Sequence, residues 1–392
     1  MAKFIKIRKG LNIPLQGEAL GEIEYDTKTV EFALCPDDYP GHTWKAIVKQ
    51  DDNVKCGDPL LCAKDDNDLC IVSPISGKVK EIHRGERRKI EFISVLKDET
   101  HASADFNETD SLLKLKRSGL FSLMRQRPFD IVPDSSKTPR DIFVTAFDTA
   151  PLAGNMKDSP LFEYLEKGIE ILKSLTTGDV YLSVLEGSGI DSEIATVYEF
   201  NNLHPAGNVG TQIAAISPIN KGEIIWTLDA VTACRIGKLF SIGVIDFSTV
   251  VAVTGPEINN PHLISTYFGA KISSLIDSEV KNNNDRIISG NVLTGEKVSL
   301  EDGYLRYPYR QITAIEEGDH ADEMMGWLSL NPKRYSVSHA FPAFLRGLSK
   351  PFNFDARIKG GERAMIMSGE YDKVFPMEIY PEFLLKAIIA KN

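Results

Sequence analysis

The sequence predicts a multidomain fold of mixed α+β and α/β type: a small N-terminal β-barrel, an α/β layered domain, a third strand-rich unit and a C-terminal helical segment. Three observations support this prediction. The chain has 392 residues, more than the roughly 250–300 at which single hydrophobic cores stop growing. Short strands and turns occupy residues 44–96, whereas buried strands and amphipathic helices alternate after residue 140. We place domains at 1–100, 101–245, 246–300 and 301–392.

Composition and charge exclude several classes of function. The 55 acidic and 45 basic side chains give a net charge of −10, which argues against a nucleic-acid-binding surface. No apolar run approaches the roughly 20 residues of a membrane span. Residues 1–7 alternate apolar and basic side chains without the apolar core of a signal peptide, so we predict an edge strand there.

The cysteines and histidines predict neither a metal site nor a redox motif. Seven histidines are scattered without paired-ligand spacing. The odd number of cysteines and their spacings lead us to expect buried or half-buried thiols in a reducing cytosol. These residues are Cys35, Cys56, Cys62, Cys70 and Cys234.

Two glycine-containing stretches indicate the barrel. Residues 54–60 and 72–79 each place a glycine among turn and β-branched residues. They resemble the G-D-x-L and S-P-x-x-G-x-V halves of biotinyl- and lipoyl-carrier domains. The lysine that such carriers modify would fall on Asp66 or Asn67, and Lys64 lies nearby but out of register. We therefore expect a structural or docking module without a swinging arm.

Alternating strands and helices predict the α/β domain. The apolar runs 141–147 and 180–185 are typical of buried strands. Between them, residues 161–175 place their apolar side chains on one face of a helix. The glycines of 187–189 are expected to turn the chain toward another helix, and the alternation continues through 224–240.

The third unit follows a strand–strand–helix–strand order within residues 249–290, which resembles a soluble-ligand-binding β-grasp module. Further on, the ferredoxin-type motif C-x₂-C-x₂-C-x₃-C-P can be laid over residues 362–381, with Pro376 as the motif's proline. None of the four ligand positions carries a thiolate, so we interpret the segment as a degenerate iron–sulfur segment. The alternative is a loop that enters an amphipathic helix. The four positions are Met365, Ser368, Tyr371 and Phe375.

This order of domains resembles that of electron-transfer proteins of RnfC type and, without the barrel, that of the complex I flavoprotein. The resemblance implies a Rossmann-like α/β domain at 101–245. Those proteins bind FMN through a G-x-G-G-A-G-F-P loop. The corresponding residues 116–129 keep only Gly119, so we expect no site for a flavin phosphate. A second glycine pair, Gly207 and Gly210, is interpreted as a tight turn before the next element.

Several short stretches along nearly the whole chain carry a closer resemblance: residues 7–14, 73–79, 119–121, 127–129, 142–146, 148–153, 204–207 and 286–290, with Gly369, Tyr371, Pro376 and Met377. Together they resemble the A subunit of the Na⁺-translocating NADH:quinone reductase. Phe121 stands where the family often has Trp, and residues 208–213 differ from its usual continuation. The resemblance also implies a family chain that continues past Asn392.

The resemblance implies a peripheral protein on the cytoplasmic face of the bacterial inner membrane. It implies that this protein holds no flavin or iron–sulfur cluster, because FMN, FAD, riboflavin and the 2Fe–2S centre belong to partner subunits. It further implies a contribution to ubiquinone reduction coupled to Na⁺ export, alone or at the contact with the membrane-embedded B subunit. The isolated chain would then not be catalytic.

A quinone requires an apolar groove and one or two hydrogen-bond donors, and residues 121–129 offer both. Here aromatic and cationic side chains alternate in the segment that replaces the flavin loop, and a guanidinium could donate to a quinone oxygen. The alternative is that the apolar side chains are core and the arginines pair at the surface. The predicted quinone-binding residues are Phe121, Leu123, Met124, Arg125, Arg127 and Phe129.

Two other functions compete with this interpretation. In the first, the chain is a scaffold whose barrel and β-grasp unit hold a segment of the B subunit, and the quinone site lies elsewhere. In the second, it is a soluble enzyme of RnfC type that uses flavin and NADH. Flavin absorbance of the purified chain and its affinity for ubiquinone distinguish the three.

Overall fold

The computed structural model describes residues 2–319, 335, 350–357 and 369–391. The strands are β1 Lys3–Ile5, β2 Ile23–Tyr25, β3 Glu31–Leu34, β4 Trp44–Ala46, β5 Asn53–Val54, β6 Pro59–Ala63, β7 Cys70–Val72, β8 Gly77–Arg84, β9 Ile90–Lys97, β10 Arg125–Arg127, β11 Ile142–Thr145, β12 Val180–Leu185, β13 Thr196–Phe200, β14 Ile225–Asp229, β15 Ser248–Thr254, β16 His262–Tyr267, β17 Arg286–Ser289, β18 Glu296–Val298 and β19 Gln311–Ile315. The α-helices are α1 Ser111–Arg117, α2 Leu165–Lys173, α3 Val209–Ile216, α4 Ala230–Ile242, α5 Ile272–Ile276, α6 Glu370–Val374 and α7 Pro381–Ala390.

The first unit is a small antiparallel barrel made of two sheets, in the orders β3-β9-β8-β5 and β4-β6-β7. Leu60, Val79 and Ile93 are fully buried between them. Cys62 and Cys70 face each other across the β6–β7 pair with their Cα atoms 4.1 Å apart, and they form a disulfide. The prediction of five thiols was therefore wrong for these two, because the hairpin register, which cysteine spacing does not reveal, brings them together.

The second unit contains a six-stranded sheet in the order β1-β13-β12-β11-β14-β10, parallel except for β10. Its central strand β11 is buried on both faces. Ile142 and Val144 belong to the core that also includes residues of α2 and α4, whereas Phe143 packs with Ile213 of α3 on the other side. This two-sided burial explains the unbroken apolar run in the sequence. The predicted N-terminal edge strand is confirmed as β1, which pairs with β13.

The next element after the glycines of 187–189 is strand β13, so the prediction of a helix there was wrong. Thr196, Val197, Tyr198 and Phe200 are β-branched or aromatic residues. They pair with β12 on one side and with β1 on the other. These residue types favour a strand locally, but the partner strand β1 is almost 200 residues away in the sequence, so the place of β13 in the sheet was not visible from the local pattern.

The third unit is a mixed six-stranded sheet in the order β18-β17-β19-β15-β16-β2, with α5 packed beside it. Strand β19 lies in the interior of this sheet, although it follows the predicted boundary at residue 300. Strand β2, which lies within the predicted 1–100 domain, pairs in parallel with β16 at the edge. The sheet therefore draws strands from three of the four predicted ranges.

Charged side chains join the three units. Asp38 of the barrel receives hydrogen bonds from Nε and Nη2 of Arg306 in the third unit, at 2.9 and 2.6 Å. At the tip of the β6–β7 hairpin, Asp66 lies 2.6 Å from Nζ of Lys116 in α1. This tip, where a carrier domain would hold its modified lysine, therefore contacts the second unit. Within the described ranges, no helix has both the length and the apolar composition needed to cross a membrane.

Candidate functional site

A cavity of about 300 Å³ opens at the carboxyl ends of β11 and β14. Strands β12 and β13 lie on one side of β11, and β14 lies on the other. Because β11 and β14 are parallel neighbours, their carboxyl ends lie at the same edge of the sheet, which is the edge where open parallel sheets usually bind ligands. Thr145 and Asp229, the last residues of the two strands, line the cavity. Residues of the third unit close it from the opposite side.

The walls of the cavity are mainly apolar. They come from five places: the turn before β10, the connection after β11, the connection from β13 into α3, strand β14 and the third unit. The apolar side chains are Leu123, Phe147, Ala150, Ala153, Met156, Val209, Leu228, Leu293, Tyr307 and Pro308. Such a lining suits a flat, weakly polar ligand.

Arg125 brings a positive charge to this apolar wall. Its guanidinium donates hydrogen bonds to the carbonyl oxygens of Ser122, Met124 and Asp38, at 3.1, 2.9 and 2.6 Å. It also lies 5.2 Å from the centre of the Tyr307 ring. Among the residues that the structure describes, no carboxylate lies within ion-pair distance of it. The charge is therefore held in position by backbone contacts without being neutralised.

A second charged group at the cavity is an ion pair. Nη1 of Arg310 lies 2.9 Å from Oδ1 of Asp229, and the Asp229 side chain also accepts a hydrogen bond from the Thr232 amide at the start of α4. Burial alone would raise the pKa of Asp229, but the charges of Arg310 and of the buried Arg235 outweigh burial, and its pKa lies below the usual value. Asp229 is therefore ionised at neutral pH.

His204 lies in the same cavity wall. Its Nδ1 atom is 3.2 Å from Oγ1 of Thr149, and the same Oγ1 accepts a hydrogen bond of 2.9 Å from the Gly207 amide. Burial lowers the pKa of His204, while the carboxylate of Asp148 and the Thr149 backbone oppose this effect. The ring is therefore neutral at pH 7, and one of its two nitrogens carries a proton.

The structure separates the six predicted quinone-binding residues. Leu123 and Arg125 line the cavity. Phe121 and Met124 are buried in the core, where Phe121 packs edge-on against Trp226. Arg127 lies farther along β10, opposite Ile225 at the start of β14, and pairs with Asp130. Phe129 is 75% exposed.

Several cavity residues were missed as binding residues at the sequence level: Thr145, His204, Gly207, Asn208, Asp229 and Arg310. Five of them lie at or just beyond the carboxyl end of a strand: Thr145 and Asp229 end β11 and β14, and His204, Gly207 and Asn208 lie in the connection after β13. That position is a usable signal, because ligands bind beyond the carboxyl ends of parallel strands. The order of the strands, which the sequence alone did not provide, is needed to choose among such connections.

The degenerate iron–sulfur segment is only partly described. Met365 and Ser368 lie outside the described residues. Tyr371 lies in α6 and Phe375 directly follows that helix, while the amphipathic helix expected after them is α7. Within the described parts of the chain, no three His, Cys, Asp or Glu side chains form a group that could hold a metal ion.

Comparison with known proteins identifies the family. Three family models match: the NqrA N-terminal barrel-sandwich hybrid domain at residues 5–98, the NqrA second alpha/beta domain at 108–245 and the NQRA C-terminal domain at 250–299.

Curated relatives match almost the whole chain. The A subunit of Na(+)-translocating NADH-quinone reductase from Neisseria meningitidis serogroup C is 35% identical, over 98% of this chain and 89% of the relative. The protein of the same name from Pasteurella multocida is 35% identical over 99% and 90%, and that of Yersinia pestis is 33% identical over 99% and 90%. The chain therefore belongs to the NqrA family, the A subunits of the Na⁺-translocating NADH-quinone reductase.

Proposed function

We propose that this chain is a peripheral subunit of a Na⁺-translocating NADH:ubiquinone reductase, on the cytoplasmic face of the bacterial inner membrane, and that it contributes a ubiquinone-binding site. The cavity at the ends of β11 and β14 is the observation that carries the proposal. The names of the relatives give the ligand class, since they are subunits of a quinone reductase.

The physical properties of the cavity support this proposal. A cavity of about 300 Å³ lies at the lower end of the range of small-molecule sites. If binding removes about 300 Å² of the ligand's apolar surface from water, the transfer contributes roughly 7 kcal/mol to the binding free energy, before the cost of ordering the ligand and the side chains around it is subtracted. Arg125 adds a donor whose charge favours the anionic, reduced forms of the ring.

We further propose that the chain itself holds neither a flavin nor an iron–sulfur cluster, and that FMN, FAD, riboflavin and the 2Fe–2S centre reside in partner subunits. Gly119 supports this, because it packs against the barrel: a Cβ added to it would lie 2.8 Å from Cγ2 of Val72. It therefore does not belong to an open phosphate-binding loop. A purified chain that is yellow, or that contains stoichiometric iron, would overturn this part of the proposal.

The binding site can be tested by titrating the purified full-length chain with ubiquinone-1. We expect Arg125→Gln to weaken binding about tenfold or more, as is typical for loss of a charge-assisted hydrogen bond. Leu123→Ala should also weaken it. Phe129→Ala is the matched control from the same segment, because its side chain is 75% exposed and does not line the cavity. Equal affinities for the wild type, Arg125→Gln and Leu123→Ala would exclude this cavity.

The contacts between units favour a second candidate, a scaffold that docks onto the membrane-embedded B subunit while the quinone binds elsewhere. Asp38 bonds to Arg306, and Asp66 bonds to Lys116, so the barrel is fixed to both later units. A wild-type chain that shows no affinity for ubiquinone-1 but binds the purified B subunit would support the scaffold and not the quinone site.

A further inference from the structure

The contact between His204 and Thr149 connects two loops that meet at the cavity. Thr149 belongs to the connection after β11, and His204 belongs to the connection after β13. Gly207 allows their close approach, because a Cβ on it would lie 2.5 Å from the Thr149 amide nitrogen. The Thr149 hydroxyl therefore faces both the Gly207 amide and the imidazole of His204.

These contacts favour one tautomer of His204. Oγ1 of Thr149 already accepts a hydrogen bond from the Gly207 amide. Among the described residues, Nδ1 of His204 is the only acceptor within hydrogen-bond distance of that hydroxyl. If the hydroxyl donates to Nδ1, the proton of the neutral ring resides on Nε2.

The second ring nitrogen is available to a ligand. His204 lines the cavity, and the one ring hydrogen bond that it makes with another side chain of the described residues is that of Nδ1 with Thr149. The ring is about half buried, so an Nε2–H group there lacks the full hydration of a surface histidine. A half-buried donor of this kind gains from an acceptor brought in by the ligand.

We propose that His204 donates a hydrogen bond from Nε2 to a carbonyl oxygen of the bound quinone, and that Thr149 is a positioning residue that fixes the required tautomer. This inference rests on the proposed quinone site. An Nε2–H group selects a ligand that presents an acceptor. The hydrogen bond strengthens as reduction places negative charge on the quinone oxygen.

The first test compares two ligands on the full-length chain: ubiquinone-1, and an aromatic ring compound that carries methyl groups in place of both carbonyl oxygens. We expect His204→Leu to weaken ubiquinone-1 binding about tenfold, equivalent to about 1.4 kcal/mol. The affinity for the methyl compound should not change. His204→Gln keeps an N–H donor and should retain most of the affinity for ubiquinone-1. A His204→Leu variant that weakens both ligands equally would show only a structural role and would overturn the proposal.

The second test measures the tautomer by ¹⁵N NMR of the histidine-labelled chain, in which the His204 signal is identified by its loss in His204→Gln. We expect the proton on Nε2 in the wild type and in Thr149→Ser, which keeps the hydroxyl. Thr149→Val should produce a mixture of tautomers and weaken ubiquinone-1 binding. A proton found on Nδ1 in the wild type would overturn the proposal even if quinone binds.

The two proposals fail in different ways. If ubiquinone-1 binds and Arg125→Gln weakens that binding while His204→Leu does not, the role of His204 is excluded and the quinone site stands. If the wild-type chain does not bind ubiquinone-1, both are excluded.

Discussion

At the scale of single residues, Asp229 combines two functions at the end of β14. Its carboxylate accepts a hydrogen bond from the Thr232 amide at 2.8 Å and thereby caps α4. It also balances the charge of Arg310 in the cavity wall, 2.9 Å away. The fully buried Arg235 depends on it too, because Asp229 is the strongest of the charges that favour its protonated form. The charge of one carboxylate thus stabilises the charged forms of two arginines.

We predict that Asp229→Asn destabilises the α/β unit by about 3 kcal/mol, the lower end of the range for removing one partner of a buried ion pair. The lower end applies because the Asp229 side chain is still 16% exposed. Asparagine remains a good helix cap, so the loss reports mainly on the charge. The measurement is urea unfolding followed by the fluorescence of the buried Trp226, with Asp179→Asn as the control in an exposed ion pair.

We also predict how the destabilisation caused by Asp229→Asn depends on pH. The pKa of Asp229 is lowered in the folded state from its usual 3.8, so its charge stabilises the fold above that pH and loses this effect as the pH falls through the folded pKa. The difference in unfolding free energy between the wild type and Asp229→Asn should therefore be constant near neutral pH and shrink below about pH 4. A difference that grows on acidification would contradict the role assigned to this charge.

At the scale of elements, Gly207 in the connection after β13 and Gly210 in the first turn of α3 have different roles. A Cβ on Gly207 would lie 2.5 Å from the Thr149 amide nitrogen, whereas no atom lies within 4 Å of a Cβ on Gly210 in α3. We predict that Gly207→Ala destabilises the chain by about 1–3 kcal/mol through steric overlap. Gly210→Ala should be neutral or stabilising by up to about 1 kcal/mol, because alanine restricts the unfolded chain. Thermal unfolding of the two variants gives the comparison, and equal midpoints would contradict it.

The elements that the sequence predicted well are those whose burial leaves a local pattern. Strands β11 and β12 are continuous apolar runs because helices cover both faces of their sheet. Helix α2 is periodic because only one of its faces is buried. The sequences of β1 and β2 do not indicate which sheet each strand joins. Each pairs with a strand more than 190 residues away, outside the predicted 1–100 domain.

The candidate site was less predictable for a related reason. Residues 121–129 contain the apolar and cationic side chains that a quinone requires, but the turn at 121–123 buries Phe121 and leaves Leu123 in the cavity wall. Strand β10 then runs away from the cavity, so Arg127 does not share the position of Arg125. Composition indicates the chemistry of such a segment, whereas the direction of each side chain depends on long-range pairing.

At the scale of the whole molecule, Asp38 contacts all three units. It belongs to the barrel, and its carboxylate bonds to Arg306 of the third unit at 2.6 Å. Its backbone carbonyl oxygen accepts the 2.6 Å hydrogen bond from Arg125 of the second unit. The position of the barrel is therefore coupled to the cation in the cavity wall.

We predict that Asp38→Asn loosens the third unit from the barrel while leaving the fold of each unit intact. Asparagine keeps the backbone contact to Arg125 and removes the charge opposite Arg306. We expect a loss of about 1–3 kcal/mol at this interface. The loss is limited because Arg306 is 21% exposed and keeps a second partner, Glu296, 3.0 Å from its Nη1, and because burial raises the pKa of Asp38. Calorimetry should show an unfolding transition that begins earlier or separates into two.

The adjacent Asp37→Asn is the matched control, because its pair with Lys89 lies within the barrel and its side chain is 57% exposed. That variant should unfold like the wild type. Weaker ubiquinone-1 binding in Asp38→Asn, with normal binding in Asp37→Asn, would show that the relative position of the units shapes the cavity. If both variants unfold and bind as the wild type does, the units are held together by their apolar contacts, and the Asp38–Arg306 pair contributes little.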